Sequence, residues 1–255
     1  LKVKKAGLCQ VQIQFALPTF LTASRFTHRE LIMENSFDFA QKVAIVAGGA
    51  GGLGQIIASE LRLRGCTVVT CSRTPNTDPM HIVADLRSPE ETRTMINAVV
   101  DHHGSIDIVV NAMGVVAFGD IVSTSVDAVE ELFLTNTFGH IFLMQTALPH
   151  MTKGSVLVGI SGVIAEQNLP GMAAYGASKA AVRSFNEALS REARRLGIRV
   201  IDARPPHTET GLATRAIAGV APKFPQGLSP ISVAQRIVLA IASGEGDLPS
   251  SSFSV

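Results

Sequence analysis

Tyr175 and Lys179 stand four residues apart in "YGASK", which places a phenol and an amine on one helix face, one turn apart. Tyr175 is the only tyrosine in the chain. A free phenol, with a pKa near ~10, is a poor acid or base at neutral pH. An ammonium beside it favours the phenolate and draws that pKa toward working range. Such a pair can pass a proton to or from a substrate oxygen, and Ser161, at the end of an apolar run, could hold that oxygen in place. The plainer readings are a packing tyrosine, a solvated lysine and a serine in a turn.

The second feature is "AGGAGGLG" (residues 47–54), with five glycines in the seven positions from Gly48 to Gly54. It follows the apolar run "VAIVA" and opens the helical stretch "LGQIIASELRLRG". A glycine loop between strand and helix can cradle a pyrophosphate on backbone N–H groups and the helix N-terminus. Two registers fit: Gly49, Gly51 and Gly54 as G-x-G-x-x-G, or Gly48, Gly52 and Gly54 as G-x-x-x-G-x-G. A tight turn alone would also use glycines.

The elements that must position these residues alternate. Apolar runs at 43–47, 67–71, 80–85, 106–114, 154–162 and 198–206 predict strands. They are separated by amphipathic stretches, including a helix opened by Pro89 and closed by Gly104, a long one over about 124–151 and another over about 173–196. Strands apolar on both faces and separated by helices predict an α/β fold, a doubly wound parallel sheet in a single Rossmann-like domain. Its ligand should lie at the C-terminal ends of the strands, near the switch point. Residues 207–228, broken by Gly and Pro, read as a lid. The chain ends on "LPSSSFSV", so a seventh strand is predicted to be short or missing.

Taken together, the ordered motifs resemble the short-chain dehydrogenase/reductase family, of the classical type. The resemblance runs over about residues 37–242, through "AGGAGGLG", "ADLR", "NAMG", Asn136, Ser161, "YGASK" and "RPPHTET". It selects the Gly48, Gly52, Gly54 register. It implies a nicotinamide dinucleotide cofactor, a carbonyl or alcohol substrate, and a catalytic set of Asn136, Ser161, Tyr175 and Lys179. Lys179 would also bond the nicotinamide ribose, and Asn136 would hold a relay water. The implied cofactor residues are Gly48, Gly52, Leu53, Gly54, Ser72, Arg73, Asp85, Leu86, Asn111, Gly114, Tyr175, Lys179, Thr208 and Thr210. A homodimer or homotetramer is implied too, with Phe133, Phe138, Phe142 and Phe185 as interface or sheet-facing residues. Ala47 and Pro206 depart from the family's Thr and Gly.

Cofactor choice rests on "TCSRT", where Ser72 and Arg73 end the second strand and no acid stands ready for ribose hydroxyls. A guanidinium there suits a 2′-phosphate, so NADP(H) is favoured over NAD(H). Apolar stretches at 115–118 and 167–172, with the lid, predict pocket walls for a hydrophobic ketone or secondary alcohol. A 3-oxoacyl-thioester reductase is the nearest alternative. A dinucleotide-binding sensor or scaffold without activity is the alternative of another class.

The composition excludes other roles. Hydrophobic residues make up 46% of the 255 and charged ones 17%, a globular balance. All 21 acids lie from Glu30 onward, facing 17 basic residues there, which leaves no nucleic-acid footprint. No apolar run reaches the ~20 residues of a membrane helix. Cys9, Cys66 and Cys71 offer neither a disulfide framework nor a zinc spacing, so no metal and a reducing, cytoplasmic setting are expected. Residues 1–32 are basic and free of acids apart from Glu30, and read as a leader preceding a start at Met33, or as an organelle transit peptide that would place the protein in a matrix. They are set apart from the domain at 33–255.

Overall fold

The computed structural model describes residues 37–253, so the reading of residues 1–32 lies outside the described residues. Seven strands form one parallel sheet: β1 (Val43–Ala47), β2 (Thr67–Ser72), β3 (His81–Val83), β4 (Ile106–Asn111), β5 (Met151–Ile160), β6 (Arg199–Ala203) and β7 (Asp247–Leu248). Their order is β3-β2-β1-β4-β5-β6-β7. The order reverses between β1 and β4, which makes the crevice beyond those two strands the switch point. The final strand does form, and it is two residues long.

Alternation along the strands sends successive side chains to opposite faces. Ala44, Val46, Ile108, Val110 and Val158 meet Ile57 and Leu61 of α1 (Gly52–Leu63), with Val233, Ile237 and Ile241 of the helix Pro230–Ser243. On the other face Ile45, Val69, Val109 and Leu157 meet Met95 and Val99 of α2 (Pro89–His103), with Leu143 and Leu189. The ends of α2 are fixed as its sequence demands. Ser88 accepts the Glu91 N–H, Pro89 opens the first turn, and Gly104 closes the helix with φ 80.

The long helix expected over 124–151 is instead broken. It consists of α3 (Val126–Leu132), a π-helical turn (Phe133–Phe138), α4 (Gly139–Ala147) and a 3-10 turn (Leu148–His150). Asn136 lies within the widened turn, where the regular ladder gives way. The next helix, α5 (Ala173–Ala193), carries Tyr175 and Lys179 and continues into a 3-10 turn capped by Gly197. The helix Pro230–Ser243 is α6.

Near the switch point the second face of the sheet turns polar. Asn111, Gly159 and Asp202 are register partners across β4, β5 and β6. Asn111 Nδ2 meets His140 Nδ1 at 2.9 Å, His140 Nε2 meets Asn186 Oδ1 at 2.7 Å, and Asn186 Nδ2 donates to Asp202 Oδ1 at 2.8 Å. Asn111 Oδ1 accepts the Met113 N–H, so its amide must donate to Nδ1 and the imidazole must carry its proton on Nε2. All four side chains are buried. A Cβ on Gly159 would lie 2.7 Å from His140 Cε1, so only glycine lets the His140–Asn186 pair cross β5.

Burial pushes the His140 imidazole down from 6.5 to about 4, with the Asn186 hydrogen bond opposing that shift. Between those values the unfolded chain binds a proton that the folded chain refuses, so stability falls as pH drops through the window. A shift of that size corresponds to about 3 kcal/mol. Urea unfolding at steps from pH 7 to pH 4 should show this decline in the wild type and a much flatter one in His140→Gln. Parallel declines in the two proteins would mean that His140 is not buried neutral.

Candidate active site

The chain leaves β1 through Gly48, at φ 79, where a Cβ would come within 2.9 Å of the Ala112 backbone. A Cβ on Gly52 would stand 2.7 Å from the Thr210 carbonyl oxygen, and one on Gly54 would collide with the Gly48 carbonyl. Each glycine of this register therefore excludes a side chain for its own reason: a turn, a close approach by the 207–228 segment, and packing of α1 on the loop. The cap of α1, Gly51, has no side-chain acceptor, and the first turn holds no acid. The positive end of α1 is left for a ligand's negative charge, which fits the diphosphate of a dinucleotide.

A cavity of about 530 Å³ runs from this cradle across the strand ends. Of the residues expected from the sequence, Gly48, Gly52, Leu53, Ser72, Arg73, Asp85, Leu86, Gly114, Ser161, Tyr175, Lys179, Thr208 and Thr210 line it. Gly54, Asn111 and Asn136 do not. Gly54 serves packing, and the Asn111 amide is spent on His140 and Met113, which corrects its reading as a cofactor contact. Asn136 accepts the Val115 N–H at 2.9 Å and donates to the Val115 carbonyl at 3.0 Å and to Ser178 Oγ at 2.9 Å. Ser178 Oγ in turn donates to the Tyr175 carbonyl. Asn136 thus ties α5, the helix of Tyr175 and Lys179, to the loop after β4.

Lys179 is only 5% exposed, and its Nζ donates to the Ile160 carbonyl at 2.9 Å. Burial pushes its ammonium down to about 8, against the opposing charge of Asp202. Burial also pushes the Tyr175 phenol up to about 12. The expected depression of the phenol by Lys179 is therefore not found: desolvation outweighs it and holds the phenol above its ordinary value. A Cβ on Gly114 would stand 3.4 Å from Lys179 Nζ and 3.5 Å from Asn136 Oδ1, so glycine keeps the space beside these two polar groups open.

Ser161 departs from expectation. It is fully buried, and its hydroxyl donates to Asp202 Oδ2 at 3.0 Å, so it is not free to hold a substrate oxygen. The carboxylate of Asp202 gathers Ser161, Asn186 and Arg204, and Arg204 is also paired with Glu166 and Asp247. Beside Ser161, Gly162 lines the cavity at φ 79, and a Cβ there would find nothing nearer than the Pro205 carbonyl oxygen at 4.0 Å. The cavity wall at the strand end is open where a side-chain hydroxyl was expected. Nothing in "ISG" taken alone shows which way Ser161 turns; strand alternation from buried Leu157 through Gly159 is the signal that would have found it.

At the cavity end beyond β2, Ser72 Oγ donates to the Thr74 carbonyl, and Arg73 reaches Glu131 at 3.5 Å. Arg87, which sequence reasoning missed, lines the cavity beside Asp85. At the other end Val116, Phe118, Ile164 and Met172 pack with Leu212 and Phe224 of the 207–228 segment. That segment is pinned by Phe118 N–H to the Ala218 carbonyl and Ile217 N–H to the Val116 carbonyl, and the His207 ring packs tilted against Phe224, centroids 4.9 Å apart. Among the described residues no group of three or more His, Cys, Asp or Glu could hold a metal, and no helix is long and apolar enough to cross a membrane.

Because the Ser161 hydroxyl serves Asp202, Ser161→Ala should lower stability by about 1–3 kcal/mol. Its kcat should stay within an order of magnitude of wild type at temperatures where both are folded. Chemical unfolding with steady-state kinetics checks this. A collapse of kcat with unchanged stability would return Ser161 to the reacting centre.

The model of the short chain dehydrogenase family matches residues 42–220. A dehydrogenase/reductase SDR family protein 7-like protein of Anopheles gambiae is 30% identical over 234 residues, covering 81% of this chain and 74% of its own. A hydroxynaphthalene reductase of Aspergillus fumigatus is 30% identical over 217 residues, 80% of this chain and 78% of its own. The structure of a short chain dehydrogenase from Burkholderia cenocepacia in complex with NADP superposes with a TM-score of 0.72 at 24% identity, over 83% of this chain and 96% of that one. With strand order, glycine cradle and Tyr175–Lys179 pair in agreement with that match, the chain belongs to the short-chain dehydrogenase/reductase family of oxidoreductases.

Proposed function

We propose that this protein reduces a hydrophobic ketone to a secondary alcohol with NADPH. The observation that carries this reading is the pair in one cavity: a half-buried phenol one helical turn before a buried lysine whose ammonium is anchored on the Ile160 carbonyl. The nicotinamide, when bound, supplies the hydride. Tyr175 gives its proton to the carbonyl oxygen, and Lys179 stabilises the phenolate left behind and returns a proton to it. A protonated phenol is the form that reduction consumes, and the reverse reaction would use the phenolate of the same residue. Asn136 fixes the helix turn carrying Tyr175, and the space beside Gly114 suits a relay water.

Gly48, Gly52 and the open end of α1 would hold the diphosphate, with Leu53 alongside. Arg73, 49% exposed on its side chain, is available for a 2′-phosphate, and Asp85 and Leu86 would flank the adenine. Thr208 and Thr210 would meet the carboxamide end. The Burkholderia cenocepacia neighbour holds NADP, and the Aspergillus fumigatus relative is named for reduction of a hydroxynaphthalene, which agrees with apolar walls of Val116, Phe118, Met172 and Phe224. Phe138, 44% exposed and stacked on Phe142, supports assembly as a homodimer or homotetramer, while Phe185 packs against the core. The buried free thiols of Cys66 and Cys71 support a reducing, cytoplasmic setting.

One observation favours a second reading. With Ser161 committed to Asp202, the site lacks the hydroxyl that would orient a substrate oxygen, as a nucleotide-binding sensor without turnover could. NADPH oxidation across a panel of aromatic ketones, aliphatic ketones and 3-oxoacyl thioesters separates the two. Reduction of at least one ketone, lost by roughly 10²-fold or more in Tyr175→Phe, is expected. NADPH binding without turnover of any panel member would favour the sensor, and equal rates for the two proteins would reject Tyr175 as the proton donor.

A further inference from the structure

The nucleotide end of the cavity contains an ion-pair cluster that the reaction does not require. Arg87 grips Asp85 with Nε 2.9 Å from both carboxylate oxygens, and its Nη1 reaches Glu131 Oε2 at 2.6 Å. Both cationic faces of Arg87 are thereby satisfied, and its guanidinium holds the Asp85 carboxyl below the usual carboxylate range. Arg73 is held differently. Its one ion pair among the described residues is with the other oxygen of the same carboxylate, Glu131 Oε1, at 3.5 Å, and its side chain is 49% exposed. Glu131 is itself fixed, because Oε1 also accepts the Thr135 hydroxyl at 2.8 Å. Thr135, Arg73, Asp85 and Arg87 all line the cavity.

Charge bookkeeping shows what this arrangement does. Arg73 and Arg87 are balanced by Asp85 and Glu131, and Glu91 stands behind them, its carboxylate accepting the Asp85 N–H at 2.8 Å. The nucleotide end is therefore not a bare basic patch. A phosphate dianion arriving beside Arg73 meets a guanidinium already paired and a carboxylate that repels it. To bind, it must take Arg73 from Glu131, exchanging a long half-exposed contact for a charge-assisted one. A ribose hydroxyl has no such competition to win.

We propose that Glu131, on α3, is a specificity-determining residue that moderates the preference for a 2′-phosphate by competing for Arg73. Arg87 is the fixed strut that keeps the Glu131 carboxylate in that position. The proposal rests on the reading that this cavity takes a nicotinamide dinucleotide and that Arg73 faces the 2′ position. It gives Glu131 no contact with the reacting atoms.

The test is equilibrium binding of NADPH, NADH and 2′,5′-ADP to the full chain by calorimetry, in wild type, Glu131→Gln and Arg73→Met. Glutamine keeps the shape and can still accept the Thr135 hydroxyl, while the competing charge is gone. The ratio of the NADH to the NADPH dissociation constant is expected to rise roughly five-fold in Glu131→Gln, a change of about 1 kcal/mol. The 2′,5′-ADP affinity should rise with it, and the gain should shrink as salt is raised. A ratio that stays the same or falls in Glu131→Gln, while Arg73→Met weakens NADPH, would overturn the role of Glu131 and leave the cofactor reading standing. Failure of all three nucleotides to bind the wild type would overturn both.

Discussion

The rest of the site depends on a cation that the fold takes out of water. Lys179 is buried beneath the strand end, where its ammonium costs free energy that an exposed lysine would not. The displacement of its pKa from 10.5 to about 8 corresponds to about 3 kcal/mol favouring the neutral amine. The fold offsets part of this with the Ile160 carbonyl at 2.9 Å and the negative charge of Asp202. A lysine placed there only to stabilise the protein would be a poor choice. Its position accords with the proposed proton path through Tyr175, one turn earlier on the same helix.

The sheet divides its work by height. Toward the N-terminal ends its second face is closed by Ile45, Val109, Leu157 and the aliphatic side chains of α2, α4 and α5. One layer higher, the same face carries Asn111, Gly159 and Asp202, crossed by His140 and Asn186. Among the described residues every buried side-chain polar atom in the protein finds a partner. A fully satisfied polar layer is rigid, because breaking one bond strands a buried group. That layer ends on Ser161 and, through Asn111, on the backbone of Met113, which lines the cavity. The rigidity of the strand ends, and hence the fixed depth of Lys179, follows from it.

Much of this was legible in the residues. Strand and helix alternation is a burial pattern, so the parallel sheet, its glycine cradle and the Tyr175–Lys179 face could be read directly. The ends of α2 were also legible, as Pro89 in its first turn and Gly104 at its close show. Two things were not. The break in the helix around Asn136 depends on bonds to Val115, 21 residues away in sequence, which no local propensity carries. The fate of Ser161 depends on Asp202, brought alongside only by the pairing of β5 with β6. Both are tertiary effects that override residue type. The charged rim follows the same rule, since Glu131 and Arg73 meet only after α3 is packed beyond the end of β2.

The depth of Lys179 can be measured directly by NMR titration of protein labelled at the lysine ε-carbon, with the Lys179 signal assigned from Lys179→Arg. A midpoint near 8 is expected in the nucleotide-free protein, rising toward the ordinary value when Lys179 gains contact with water. Titration near 10.5 in the native protein would show an amine already open to solvent, and a proton path through Tyr175 and a buried Lys179 would then be contradicted.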